Sequence, residues 1–129
     1  MKHQLLLSSL TVICACAQAP APPLACNLKA FTAEERTDWR NRIEHVMSSA
    51  SAVKELPDGY TFAVAASRVS IVDVARWVEL ERKCCPFFVF EIGMQGEDGS
   101  IWLNLRGAKG VKEFIAQDFR LIFERLEHH

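Results

Sequence analysis

Glu81-Arg82-Lys83-Cys84-Cys85-Pro86-Phe87-Phe88-Val89-Phe90 joins two stretches of different periodicity, and its reading decides the fold. Upstream, Val74, Ala75, Trp77, Val78 and Leu80 make a broad apolar face at helical spacing. Downstream, Phe88, Phe90, Ile92 and Met94 alternate as a half-buried strand requires. Pro86 has no N–H to donate and its ring forces Cys85 out of the helical region. The stretch therefore predicts a helix that ends at two adjacent thiols and gives way to a strand.

Working outward, Ser70 with Asp73 supplies an N-cap for that helix. Gln95-Gly96-Glu97-Asp98-Gly99-Ser100 reads as a turn, and Ile101, Leu103 and Leu105 alternate on a return strand. Further upstream, Thr32-Ala33-Glu34-Glu35 is a capping box opening a helix with Trp39, Ile43, Val46 and Met47 on one stripe. Arg36, Arg40 and Arg42 lie around it as a solvated face, and Ser48-Ser49-Ala50-Ser51 closes it. Pro57-Asp58-Gly59 between Val53–Leu56 and Tyr60–Ala65 is turn chemistry, giving a hairpin with Phe62 and Val64 on one face. After Gly107-Ala108-Lys109-Gly110, the stripe Val111, Phe114, Ile115, Phe119, Ile122, Phe123 predicts one last helix.

The order is α-ββ-α-ββ-α. Its simplest solution is an α+β fold, one four-stranded antiparallel sheet built from two hairpins with helices packed on one face. The helix–hairpin unit occurs twice, over residues 32–66 and 70–106, without sequence identity between the copies.

The chain of 129 residues is one domain's worth. Half of it is apolar and 24% charged, enough for a core. A net charge of −1 offers no basic excess to neutralise phosphates, so no nucleic-acid partner is expected. Met1-Lys2-His3 before the apolar run Leu5–Ile13 has the order of a secretory signal over residues 1–19. Ile13-Cys14-Ala15-Cys16 resembles a lipoprotein processing site, with membrane anchoring through a lipid on Cys16. These features point to the periplasm or a membrane-anchored lipoprotein; the alternative is a buried N-terminal helix in a cytoplasmic protein. Residues 20–25 are a stiff Pro-rich tether, the domain is expected over 26–125, and Leu126-Glu127-His128-His129 reads as the start of an expression tag. His3 and His45 then remain as histidine candidates.

On a helix, Glu81, Cys84 and Cys85 lie at i, i+3 and i+4, putting one carboxylate and two sulfurs on one side of the last turn. If Cys26 folds back against this joint, three sulfurs converge, with Glu81 or His45 as a fourth ligand. Such a set suits a soft or borderline ion such as zinc. Adjacent cysteines are not zinc-finger spacing, however. An activated nucleophile is not expected either, because a helix C-terminus disfavours thiolate, an effect that Arg82 and Lys83 offset only in part. In an oxidising compartment the three thiols suggest one disulfide, Cys26 to Cys84 or to Cys85, closing a loop of nearly sixty residues at a gain of about 4 kcal/mol.

Pro23-Leu24-Ala25-Cys26-Asn27-Leu28, Trp39-Arg40, the stretch from Glu81 to Phe90, and Leu105-Arg106-Gly107 before Phe114 together resemble a family of small, uncharacterised bacterial proteins. Its pattern is an early Cys-x-Leu, a central Glu-Arg-x-Cys-Cys-x-Phe-Phe and a Gly-containing strand–helix junction, and the resemblance covers residues 23–123. Some relatives occur beside or fused to regulators of the mercury-resistance type. The resemblance thus implies soft-metal or metalloid handling, with Cys26, Cys84 and Cys85 as the matching thiols. The signal-like N-terminus departs from the family's pattern.

The expectation is a small thiol-based binding protein for a soft metal or metalloid ion, with Cys26, Cys84, Cys85, Glu81 and His45 as candidate ligands and no catalytic residues. One alternative is a non-enzymatic exported domain with a structural disulfide. A second is a thiol enzyme of organomercurial-cleaving type, with Glu81 as proton donor and a pocket lined by Trp77, Phe87 or Phe88.

Overall fold

The computed structural model describes residues 24–97 and 99–129. The signal-like segment, Cys14, the Cys16 lipidation site and most of the Pro-rich tether lie outside the described residues.

A 3₁₀ turn, Leu28–Ala30, precedes helix α1, Ala33–Ser48. The capping box forms as read: Glu35 N–H donates to Thr32 Oγ1, and Thr32 N–H donates to the Glu35 carboxylate. Strands β1 (Ala50–Leu56) and β2 (Gly59–Val64) make the first hairpin. Helix α2, Ile71–Cys84, starts at Ser70, whose hydroxyl accepts from Asp73 N–H. Strands β3 (Val89–Gln95) and β4 (Ser100–Arg106) make the second hairpin. Helices α3 (Val111–Asp118) and α4 (Arg120–Glu127) follow.

The four strands form one antiparallel sheet in the order β1-β2-β4-β3, so the fold is the α+β arrangement expected. The return strand of each hairpin is central, which places the two helix–hairpin units on either side of the β2–β4 pairing. Register aligns Phe62 with Leu103 and Val64 with Ile101, and all four are buried against the helices. The opposite face carries a polar network beside Trp102, whose ring lies over Gly93. There Thr61 donates to Asn104, Asn104 donates to Glu91, and Arg106 bridges Glu91 and Asp58.

Two boundaries differ from expectation. Ser48 and Ser49 close α1 as read, but β1 begins at Ala50 rather than at Val53. The single last helix is two. Phe119 adopts φ −99° and ψ 18° between them, while Phe119 and Phe123 both pack on Phe62. One non-helical residue barely disturbs a three-to-four-residue stripe, so the sequence pattern runs through the break. Helix α4 also continues into Leu126 and Glu127, and Arg125 donates to the carbonyls of Met47 and Ala50.

No described helix is long and apolar enough to cross a membrane. Gly59 sits where a Cβ would lie 2.0 Å from the Leu105 carbonyl oxygen, a backbone atom that cannot move aside. Gly59→Ala is therefore expected to lower unfolding stability by about 1–3 kcal/mol in urea denaturation, with an unchanged m-value.

Candidate functional site

The site is built at the end of α2. Cys85 N–H donates to the Glu81 carbonyl at 2.8 Å, the last helical hydrogen bond before Pro86 ends the series. Cys85 itself has left the helical region, at φ −123° and ψ 67°, in keeping with the bias against helix at a residue before proline. Adjacent residues of a regular helix point about 100° apart and do not face one another. Here the change of conformation at Cys85 brings its Sγ to 3.6 Å from that of Cys84. Glu81, one turn back, presents its carboxyl to the same space.

Cys26 does fold back. Asn27 N–H donates to the Cys84 carbonyl at 2.9 Å, which docks the N-terminal segment on the end of α2. Cys26 and Cys85 are joined as a disulfide, with Cα atoms 5.1 Å apart. Of the two partners left open by the sequence, it is Cys85 that bonds. Cys84 is the free cysteine among the described residues, and it is buried. One ligand atom from each of Cys26, Glu81, Cys84 and Cys85 lies within 4.8 Å of the others.

His45 does not join them. It sits exposed in the last turn of α1, six residues beyond Trp39, or about 9 Å along the helix axis. Lys83 and Arg82 point away as well. Both are exposed, and Lys83 pairs with Glu35. Trp77 and Phe88 are core residues, and Phe87 packs on Phe88 and Phe114.

Glu81 is completely buried. One of its oxygens accepts from the Trp39 indole N–H at 2.5 Å, while Oε1 has no hydrogen-bond partner. Burial pushes this carboxyl up to about 7; the Trp39 hydrogen bond opposes the rise and the charge of Asp118 adds to it. Burial likewise pushes the Cys84 thiol up to about 12, with Glu81 and Asp118 reinforcing the shift. Cys84 is thus a protonated thiol near neutrality, not an activated nucleophile.

Access is one-sided. Cys84 and Cys85 are sealed, whereas Cys26 is partly exposed and lines a recess of about 410 Å³ with Leu24, Ala25, Phe114, Gln117 and Asp118. Asp118, exposed at the recess with its carboxyl raised by partial desolvation, is the site residue that sequence reasoning missed. No motif announces it, since it stands at the end of α3 and meets α2 only in the fold. Trp39 is visible in the sequence as one apolar residue of a stripe, but its indole donor role is not.

Comparison of the chain with protein-family models, with curated proteins and with solved structures yields no match in any of the three.

The Glu81 carboxyl binds its proton more tightly folded, at about 7, than at its ordinary 4.5. Its contribution to stability is therefore fully present below about pH 4.5 and is lost as pH rises through 7. The melting temperature of the metal-free oxidised protein should fall between pH 5 and 8, and Glu81→Gln should flatten that fall. Equal slopes for the two proteins would refute this account of the carboxyl.

Proposed function

We propose that the protein binds a soft metal or metalloid ion through Cys26, Cys84 and Cys85 with the Glu81 carboxyl, in the state in which the disulfide is open. The observation that carries this is the convergence of three sulfurs and one carboxyl oxygen within 4.8 Å. Tetrahedral zinc with Zn–S bonds of roughly 2.3 Å needs its sulfurs about 3.8 Å apart. The 3.6 Å between Cys84 and Cys85 is already close to that spacing. Three thiolates beside one carboxylate favour thiophilic ions over hard ones, because hard cations select all-oxygen shells. The unpartnered Glu81 Oε1 is a donor atom that the protein itself leaves free. The resemblance to bacterial proteins found beside mercury-resistance-type regulators supports the same reading.

Oxidised, the cluster offers a single thiol and a carboxyl. Reduced, it offers three thiols, whose protons a bound ion displaces, so affinity rises with pH. An exported location is compatible with a disulfide and follows from the signal-like N-terminus rather than from the fold.

A second reading has one observation of its own. The disulfide spans 59 residues of sequence and ties the N-terminal segment to a buried joint, as a purely structural bond would. Such a bond contributes about 4 kcal/mol through the unfolded chain.

Reduced protein titrated with Hg²⁺, Zn²⁺ or arsenite is expected to bind one equivalent, oxidised protein to bind at least tenfold more weakly, and Cys85→Ser to lose most of the affinity. Equal binding by reduced wild type and Cys85→Ser would end the metal-site reading. If reduction lowers unfolding stability by about 4 kcal/mol and the reduced form ignores all three probes, the structural reading holds instead.

A further inference from the structure

We infer that the recess over Cys26 is a docking site for a small thiol, which opens the Cys26–Cys85 disulfide by attacking the Cys26 sulfur, and that Asp118 favours thiols carrying a cationic group over anionic ones.

The two sulfurs of the bond differ in how far an incoming thiolate can reach them. Thiol–disulfide exchange requires a thiolate to approach one sulfur of the bond. Cys85 is 0% exposed and offers no approach, whereas Cys26 is partly exposed and forms part of the recess wall. At about 410 Å³ the recess has room for a molecule of several heavy atoms beside the sulfur. Leu24 and Phe114 give it apolar walls for a short alkyl chain, and the Gln117 amide a polar one.

Charge makes the selection. Asp118 is the charged residue of the described lining; it is exposed, so its charge acts on an approaching thiol most strongly at low ionic strength. A carboxylate there attracts an ammonium group on the incoming thiol and repels a carboxylate. At a water-like dielectric and a separation of roughly 4 Å, each sign of charge changes the encounter by about fivefold at low ionic strength.

The chemistry balances with the thiol as reductant. In the first step R–SH loses its proton, its sulfur bonds to Cys26 Sγ, and the Cys26–Cys85 bond breaks. The electron pair of that bond leaves with Cys85, which takes up the proton and becomes a thiol. In the second step another R–SH attacks the R sulfur of the mixed disulfide, releasing R–S–S–R and leaving Cys26 as a thiol. Two thiols are oxidised and one disulfide is reduced. The inference deepens the proposed function and rests on it for its purpose, since opening the bond is what turns one thiol into three at the cluster.

The test uses the full oxidised chain at pH 8, with cysteamine, 2-mercaptoethanol and mercaptoacetate as probes. Each rate is divided by that thiol's rate against an open-chain reference disulfide. At low ionic strength cysteamine should outpace mercaptoacetate by on the order of tenfold. Asp118→Asn should bring the ratio close to one. Gln117→Lys, which places a cation in the same wall, should shift the ratio the same way if the first variant folds poorly. Early acid quenching and peptide mapping should find the mixed disulfide on Cys26.

A mixed disulfide on Cys85 would overturn the inference. So would equal normalised rates for the three thiols that level off at the unfolding rate, because the bond would then open only with the whole domain. The metal reading is separated by opening the disulfide with a phosphine and titrating Hg²⁺. Thiol selectivity without Hg²⁺ binding sinks the proposed function and leaves the recess standing. Hg²⁺ binding without thiol selectivity does the reverse.

Discussion

The N–H that Pro86 lacks is the constraint from which the rest of the site follows. It stops α2 at Cys84 and leaves Cys85 outside the helical region. Two sulfurs that a continuous helix would turn apart therefore face a common space, one still on the helix and one already leaving it. The carbonyl of Cys84, freed from any further helical partner, accepts instead from Asn27 N–H. That single backbone bond carries the N-terminal segment to the joint and makes the covalent link to Cys85 geometrically available. Phe88 and Phe90, immediately past the proline, pack on the core and fix the far side of the junction. The site is thus held between a helix end, a strand start and a docked tether, each anchored independently.

Glu81 is the expensive member of the group. A carboxyl buried with one oxygen unpartnered forfeits solvation that the Trp39 indole restores only in part. An apolar side chain of similar volume would serve the packing between α1 and α2 at least as well. The protein responds by favouring the neutral acid, and the same burial keeps Cys84 protonated. A cation reaching this space would reverse both tendencies at once, because it stabilises the anionic forms that burial disfavours. Burial therefore keeps the cluster protonated, and its four side chains are close enough together to hold a metal ion. The recess at Cys26 gives the sealed interior its one partly exposed sulfur.

What the sequence determined by itself is local. The two N-caps, the alternation of Phe90, Ile92, Ile101, Leu103 and Leu105, the turn at Pro57–Gly59 and the break at Pro86 are set by neighbours a few residues apart, and each forms where the pattern places it. From them follow the α+β order, the sheet and the meeting of Glu81 with the paired thiols, which share the end of one helix. Where the pattern is blind to a single residue, as at Phe119, the boundary is missed.

Only the tertiary structure decided the rest. That Cys26 bonds Cys85 and leaves Cys84 free depends on how a segment 59 residues away docks on the end of α2. Helix spacing ties Glu81 to the thiols but leaves the place of His45 open; the packing of α1 on α2 turns Trp39 towards the carboxyl and leaves His45 in solvent. Asp118 joins the site because α3 ends beside Cys26, a proximity no spacing in the chain encodes. Periodicity reports the surroundings of a residue within its own element. Which elements meet is settled by burial of the shared core, and it is there that the site acquires its charge and its opening.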